Sequence, residues 1–186
     1  MAKTKSGKNP PTAKSKILEP QRPSGHKKLW LIAGILVVIN VMAYFPVSNY
    51  GFVNYDDATY ISNNADVTRG LTFDGLVWAF TTGRASNWHP VTWLSHMTDV
   101  QLFGVNAGAH HVVNLVLHIA NTLLLFWFFQ RATGQLGASA FVAALFAVHP
   151  LHVESVVWLA ERKDLLSTLF WTVALCAYVK IGRAHV

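Results

Sequence analysis

Four stretches of the chain, residues 29–45, 110–130, 132–148 and 165–179, contain no Asp, Glu, Lys or Arg and are rich in Leu, Val, Ala and Phe. In hydrocarbon every backbone N–H and C=O must find its partner within the chain, so apolar runs of this length become helices. The first covers about 25 Å at 1.5 Å per residue, the short end of a spanning helix. Trp30 and Tyr44 stand near its ends, where aromatic belts lie, and Pro46 stops it. The fourth run is only fifteen residues, so either its helix starts earlier, near Ser155, or the sequence stops too soon. Charged residues make up 13% of the chain, against roughly 25% in soluble domains. The fold class expected is therefore all-α and integral to a membrane, with about four transmembrane helices. Apolar residues at 52% exclude a disordered chain, and the single Cys176 excludes a disulfide scaffold.

Charge sets the orientation. Residues 1–28 hold eight basic residues against Glu19 alone, while residues 29–186 hold seven basic and eight acidic. The first 28 residues read as a disordered basic tail, cytoplasmic by the positive-inside rule, with no nucleic-acid role. Basic flanks beside a span set topology or touch anionic lipid. A signal peptide cleaved after Val41-Met42-Ala43 is disfavoured by the long basic leader and long apolar run. Residues 46–109 then form an outer loop, and Arg131 and Lys180 mark the inner ends of the second and fourth spans. The pairs Ala140/Ala144 and Ala143/Ala147 allow close packing of the third.

The outer loop carries two amphipathic stretches. Phe73, Leu76, Val77 and Phe80 share one helix face, with Thr72 as N-cap. A second helix starts at Pro90, with Val91, Leu94 and Met97 on one side. Both are expected to lie on the outer membrane surface, with Trp78, Trp88 and Trp93 at the interface. Packing within a small loop domain explains the same residues equally well.

The polar residues near the membrane are the candidates for chemistry. Asp56 and Asp57 follow the first span closely. Adjacent carboxylates repel, which raises one pKa where solvation is poor and suits it to general-base work. Neighbours in sequence do not share a helix face, so one is expected to point at chemistry and the other to cap the turn starting at Ala58. His111, Asn114, His118 and Asn121 form one helical stripe, which either lines a substrate cavity or makes interhelical hydrogen bonds. In the second connection, Arg162 and Lys163 lie on the side where basic residues are disfavoured. Binding a phosphate is one reason to keep them there, and pairing with Glu161 and Asp164 is the other. His149, His152 and Glu154 suggest a divalent metal, but no further ligand stands at a telling spacing.

Tyr55-Asp56-Asp57, Trp88-His89-Pro90-Val91-Thr92, the run HHVVNLVLH ending at His118, and the run HPLHVESVVWLAERKD from His149 to Asp164 together resemble the transmembrane-and-TPR protein O-mannosyltransferases and their bacterial relatives. These belong to the GT-C glycosyltransferase class. The resemblance covers about residues 29–180 and implies part of a GT-C-like membrane domain, with TPR repeats following it. It implies a polyprenyl-phosphate sugar as donor, and a protein acceptor or TPR-bound partner. A bacterial inner membrane follows from the bacterial relatives. Asp56 and Asp57 match the family's acidic catalytic motif. Arg162, Lys163, His152 and Glu154 are then the candidates for the lipid phosphate, with His111, Asn114, His118 and Asn121 lining the cavity. His89 stands where family members often carry arginine. A non-enzymatic membrane anchor for TPR repeats is the alternative function, and a transporter fragment the third.

The last six residues, IGRAHV, are what ATC GGA AGA GCA CAC GTC encodes, the sequence of a sequencing adapter. The expectation is that residues 181–186 are foreign and that the native chain continues beyond about residue 180.

Overall fold

The computed structural model describes residues 25–184, with the side chains of 25–26 and 182–184 left aside. The expectation for the basic tail thus lies outside the described residues, apart from Lys27 and Lys28, and so does the end of the IGRAHV segment.

Among the described residues the chain is helical, without strands. Helix α1, Gly25–Tyr44, is the first apolar run, extended backward to include Lys27 and Lys28. Pro46 cannot continue it, and a 3₁₀ turn, Phe45–Asn49, follows. Helix α5, Ala107–Thr133, is about 40 Å long, is capped by the Asn106 side chain on Ala109 N, and ends at the left-handed Gly134. Helix α8, Arg162–Ala184, is the fourth run, and the charged trio Arg162-Lys163-Asp164 forms its first turn. It begins after Ser155, because Leu159–Glu161 is a separate 3₁₀ turn. Three segments, Lys27–Asn49, Ala107–Thr133 and Leu159–Ile181, are long and apolar enough to cross a membrane.

The third expected span is shorter than its apolar run. Gly134 turns the chain, so α6 starts at Leu136 and ends at Val148. Thirteen residues reach about 20 Å, against a hydrocarbon core of about 30 Å. Its alanines behave as expected: Ala143 and Ala147 are fully buried, and Ala143 packs with Leu36 of α1 and Phe126 of α5.

The connection between α1 and α5 is a small packed unit. A π-turn, Ala58–Ser62, leads to the short helix α2, Ala65–Thr68. Then come α3, Phe73–Thr81, and α4, Pro90–Phe103. Tyr60, Ile61, Val67, Ala79, Trp93, Met97 and Val100 form its core, together with Leu159 and Ala160 from beyond α6. The loop-domain alternative therefore describes α4. Its buried face is Trp93, His96, Met97 and Val100, while Val91 is exposed, and Trp93 sits in the core, not at an interface.

Helix α3 differs. Gly75 and Ala79 face inward, whereas Phe73, Leu76, Val77 and Phe80 are 79%, 42%, 49% and 49% exposed. An apolar stripe left open on a half-packed helix fits an interfacial position. Thr72 caps this helix as expected, its Oγ1 accepting from Gly75 N at 2.9 Å. Thr72→Ala is expected to cost about 1 kcal/mol, read as a lower unfolding midpoint in detergent. A midpoint equal to wild type would remove the cap from the account.

The short helix α7, His152–Val157, completes the set and links α6 to the turn before α8.

Candidate active site

The stripe on α5 ties elements together through one nitrogen of each side chain, while His111 Nδ1, His118 Nδ1 and Asn121 Oδ1 are buried without a partner. His111, Asn114, His118 and Asn121 are all buried. Asn114 Nδ2 donates to Val156 O at 3.1 Å and Asn121 Nδ2 to Leu165 O at 2.9 Å. His111 Nε2 lies 3.3 Å from Gly51 O, and His118 Nε2 lies 3.1 Å from Ala147 O. A carbonyl only accepts, so both rings carry their proton on Nε2. Val156 and Ala147 stand in the last turns of α7 and α6, where carbonyls lack an intrahelical donor. The stripe satisfies those carbonyls, the hydrogen-bonding role that stands beside cavity lining as the reading of these residues.

Arg162 also differs from its expected role. Its side chain is fully buried. Nε donates to Asn114 Oδ1 at 2.7 Å, Nη1 to Ser95 Oγ at 3.1 Å and to Asp99 Oδ2, and Nη2 to His110 O at 2.9 Å. A buried guanidinium requires a counter-charge and acceptors, and α4 and α5 supply the counter-charge and acceptors for four of its five N–H groups. No face of it remains for a lipid phosphate. It is the node that joins α4, α5 and the start of α8.

Lys163 follows the simpler expectation and pairs locally with Glu161 Oε1 at 2.7 Å. Asp164 Oδ2 accepts from Ser155 Oγ at 3.3 Å. Unlike Arg162, Lys163 keeps about a third of its side chain exposed.

The two aspartates have different surroundings. Asp57 is fully buried. Its Oδ2 accepts from Val53 N at 2.8 Å and its Oδ1 from Ala160 N at 3.1 Å. It therefore does not cap the Ala58 turn with its side chain but joins the first connection to the turn before α8. Burial pushes its carboxyl up from the ordinary aspartate range, while the two amides and His111 pull it back. Asp56 is only partly buried.

Asp56 faces an aromatic and charged neighbourhood. Tyr60 stacks on His89, ring centroids 5.4 Å apart and nearly parallel, and both contact Trp93. Burial raises the Tyr60 phenol; Lys163 and a hydrogen bond with Asn87 lower it, and Asp56 and Glu161 raise it further. Burial and then Lys163 hold His89 below its ordinary range. Tyr55 and Trp158 lie beside this group, 5.9 Å apart. Tyr60 thus feels the charges of Asp56, Glu161 and Lys163, and His89 those of Glu161 and Lys163. Sequence reasoning had singled out Asp56 and Lys163 but not Tyr60. The stacking of a ring before Pro90 on a tyrosine 29 positions earlier has no local signal.

His152 and Glu154 stand apart. His152 contacts Phe146, His118 and His149, at 4.3, 5.6 and 6.0 Å between centroids, and burial holds its imidazole below the usual range. His149 Nδ1 accepts from Leu151 N, and Glu154 is exposed. No hydrogen bond among the described residues joins His152 or Glu154 to Lys163 or the aspartates. The metal set suggested for His149, His152 and Glu154 does not assemble. The group that does converge is His96, Asp99 and His110, with ligand atoms within 4.8 Å of one another. The sequence signal for it was His96 and Asp99, three apart on one helix.

No family model matches the chain, and no solved structure matches it. Curated proteins do. Protein O-mannosyl-transferase Tmtc1 of Drosophila melanogaster is 33% identical over 85% of this chain and 20% of its own length. Human protein O-mannosyl-transferase TMTC1 is 34% identical over 67% of this chain and 15% of its own. Protein O-mannosyl-transferase F38B6.6 of Caenorhabditis elegans is 32% identical over 78% and 22% respectively. The chain thus spans about a fifth of the length of the curated relatives it matches. With these matches and its long apolar helices, the chain is an all-α membrane protein and belongs to the TMTC-like protein O-mannosyl-transferase family.

Proposed function

We propose that this chain forms part of a membrane glycosyltransferase that moves a sugar from a polyprenyl-phosphate donor to a protein hydroxyl on the extracytoplasmic side. The observation that carries the reading is the split between the two aspartates: Asp57 is buried and locked by two amides, and Asp56 beside it is only partly buried. Asp56 takes the acceptor proton as the hydroxyl oxygen attacks the anomeric carbon. The bond from that carbon to the phosphate oxygen breaks, and its electron pair leaves with the lipid phosphate. Lys163, reachable from solvent, moves from Glu161 to the developing phosphate charge. Arg162 acts only by fixing the start of α8. Lys27, Lys28, Arg131 and Lys180 fall at ends of α1, α5 and α8 that share one side in an alternating path, which supports a cytoplasmic N-terminus.

The test uses the full-length protein with a lipid-phosphate sugar and an acceptor protein. Asp56→Asn is expected to lower transfer by roughly 10²–10⁴-fold with an unchanged unfolding midpoint. Asp57→Asn is expected to lower both, because an amide nitrogen then faces the Val53 or Ala160 N–H. Full transfer by Asp56→Asn ends the assignment.

A further inference from the structure

We propose that His96, Asp99 and His110 form a binding site for a zinc-class dication, independent of the transfer chemistry. Helix α4 puts His96 and Asp99 on one face, three residues apart. The first turn of α5 brings His110 against them. All three are buried, at 0%, 3% and 0% exposure. His96 Nδ1 lies 3.4 Å from His110 Nδ1, and His110 Nδ1 lies 3.0 Å from Asp99 Oδ2.

Proton accounting favours an ion at this point. His110 Nδ1 faces a carboxylate oxygen and a second ring nitrogen, with at most one proton to offer. If that proton goes to Asp99, the two nitrogens share it poorly. If His96 supplies the proton between the rings, the His110 lone pair points at the carboxylate. A dication replaces the proton and accepts one lone pair from each of the three atoms. The spacing suits it. At a Zn–N distance of about 2.1 Å, two nitrogens 3.4 Å apart subtend roughly 110° at the ion, the tetrahedral angle. The nitrogen and oxygen 3.0 Å apart subtend roughly 90°.

The surroundings select the ion. Arg162 holds Asp99 Oδ2 through Nη1, which orients the carboxylate as an outer-shell partner does. Its positive charge opposes any cation nearby, so affinity must come from the two imidazoles. Zinc and its neighbours accept imidazole nitrogen, whereas magnesium and calcium require a shell of oxygens. The ion would pin α4 to α5 at the point where Arg162 pins both to α8.

The experiment uses the full-length protein, purified in detergent without a histidine tag, stripped with chelator and reloaded with zinc or cobalt. About one zinc per chain is expected by elemental analysis after dialysis, and cobalt is expected to give the visible absorption of a low-coordinate imidazole site. Magnesium and calcium should not be retained. His96→Ala and His110→Ala should each lose the zinc and the cobalt spectrum, while His149→Ala, in the other histidine group, keeps both. Zinc should raise the unfolding midpoint of wild type and leave His96→Ala unmoved, a readout that holds even where His110→Ala fails to fold. Zinc well below one per chain in stripped and reloaded wild type overturns the proposal. So does full retention by both variants, or equal loss in His149→Ala.

Discussion

Asp99→Leu is expected to destabilise the folded chain by about 3–5 kcal/mol. The leucine removes the counter-charge of Arg162 while leaving the guanidinium fully buried between α4, α5 and α8. It also removes the carboxylate that faces His110 Nδ1. Neither group can turn to water, so the loss is that of an uncompensated buried charge and not of one hydrogen bond. The double variant Asp99→Leu/Arg162→Met tests the mechanism. Removing both charges is expected to recover part of the loss, with Asn114, Ser95 and the His110 carbonyl keeping the rest. Unfolding midpoints in detergent, on chelator-treated protein, read the ion pair without any bound ion. An Asp99→Leu midpoint close to wild type, or a double variant no more stable than Asp99→Leu alone, would sink this account.

The second large effect is expected at Gly108, the second residue of α5. A Cβ placed there would lie 2.2 Å from Ser48 O and 3.2 Å from Ser48 C. Both are backbone atoms of the turn after α1, so no side chain can swing aside. Gly108→Ala must push the C-terminal end of α1 away from the N-terminal end of α5. The same shift strains the His111–Gly51 contact and the Arg162 bond to His110 O, which start from the next turn. The expected loss is about 3 kcal/mol, the upper part of the range for overpacking. Gly137→Ala is the control. It meets nothing within 4 Å inside α6 and should stabilise the helix by roughly 0.5–1 kcal/mol. Equal midpoints for the two alanine variants would contradict the close approach.

Helices α1, α5 and α8, the Thr72 cap and the helix start at Pro90 were legible in the sequence because each depends on residues within one or two turns. The long-range braces were not. Asp99 and Arg162 are 63 residues apart, and Asp57 and Ala160 are 103 apart. A local reading paired Arg162 with Glu161 and Asp164 because those were its neighbours, and the fold gave it Asp99. The exposed face of α3 and the buried face of α4 show the same limit. Both helices have apolar stripes, and only the packing of Trp93 and Met97 against Ile61 and Leu159 decides which stripe is covered. Helix α6 starts later than its uncharged run for a local reason: Gly134, with φ +73, ends α5 inside that run.

That short α6 has a consequence for the surrounding bilayer. A rod about 20 Å long between neighbours of about 30 Å or more leaves a step in the hydrophobic belt of the protein. Lipid must either dip to meet the histidine-bearing turn after Val148 or leave it recessed, and a dip is the smaller strain where tails can splay. The leaflet would then be dimpled on one flank. A lipid headgroup on that flank would sit nearer the level of the α6–α7 turn.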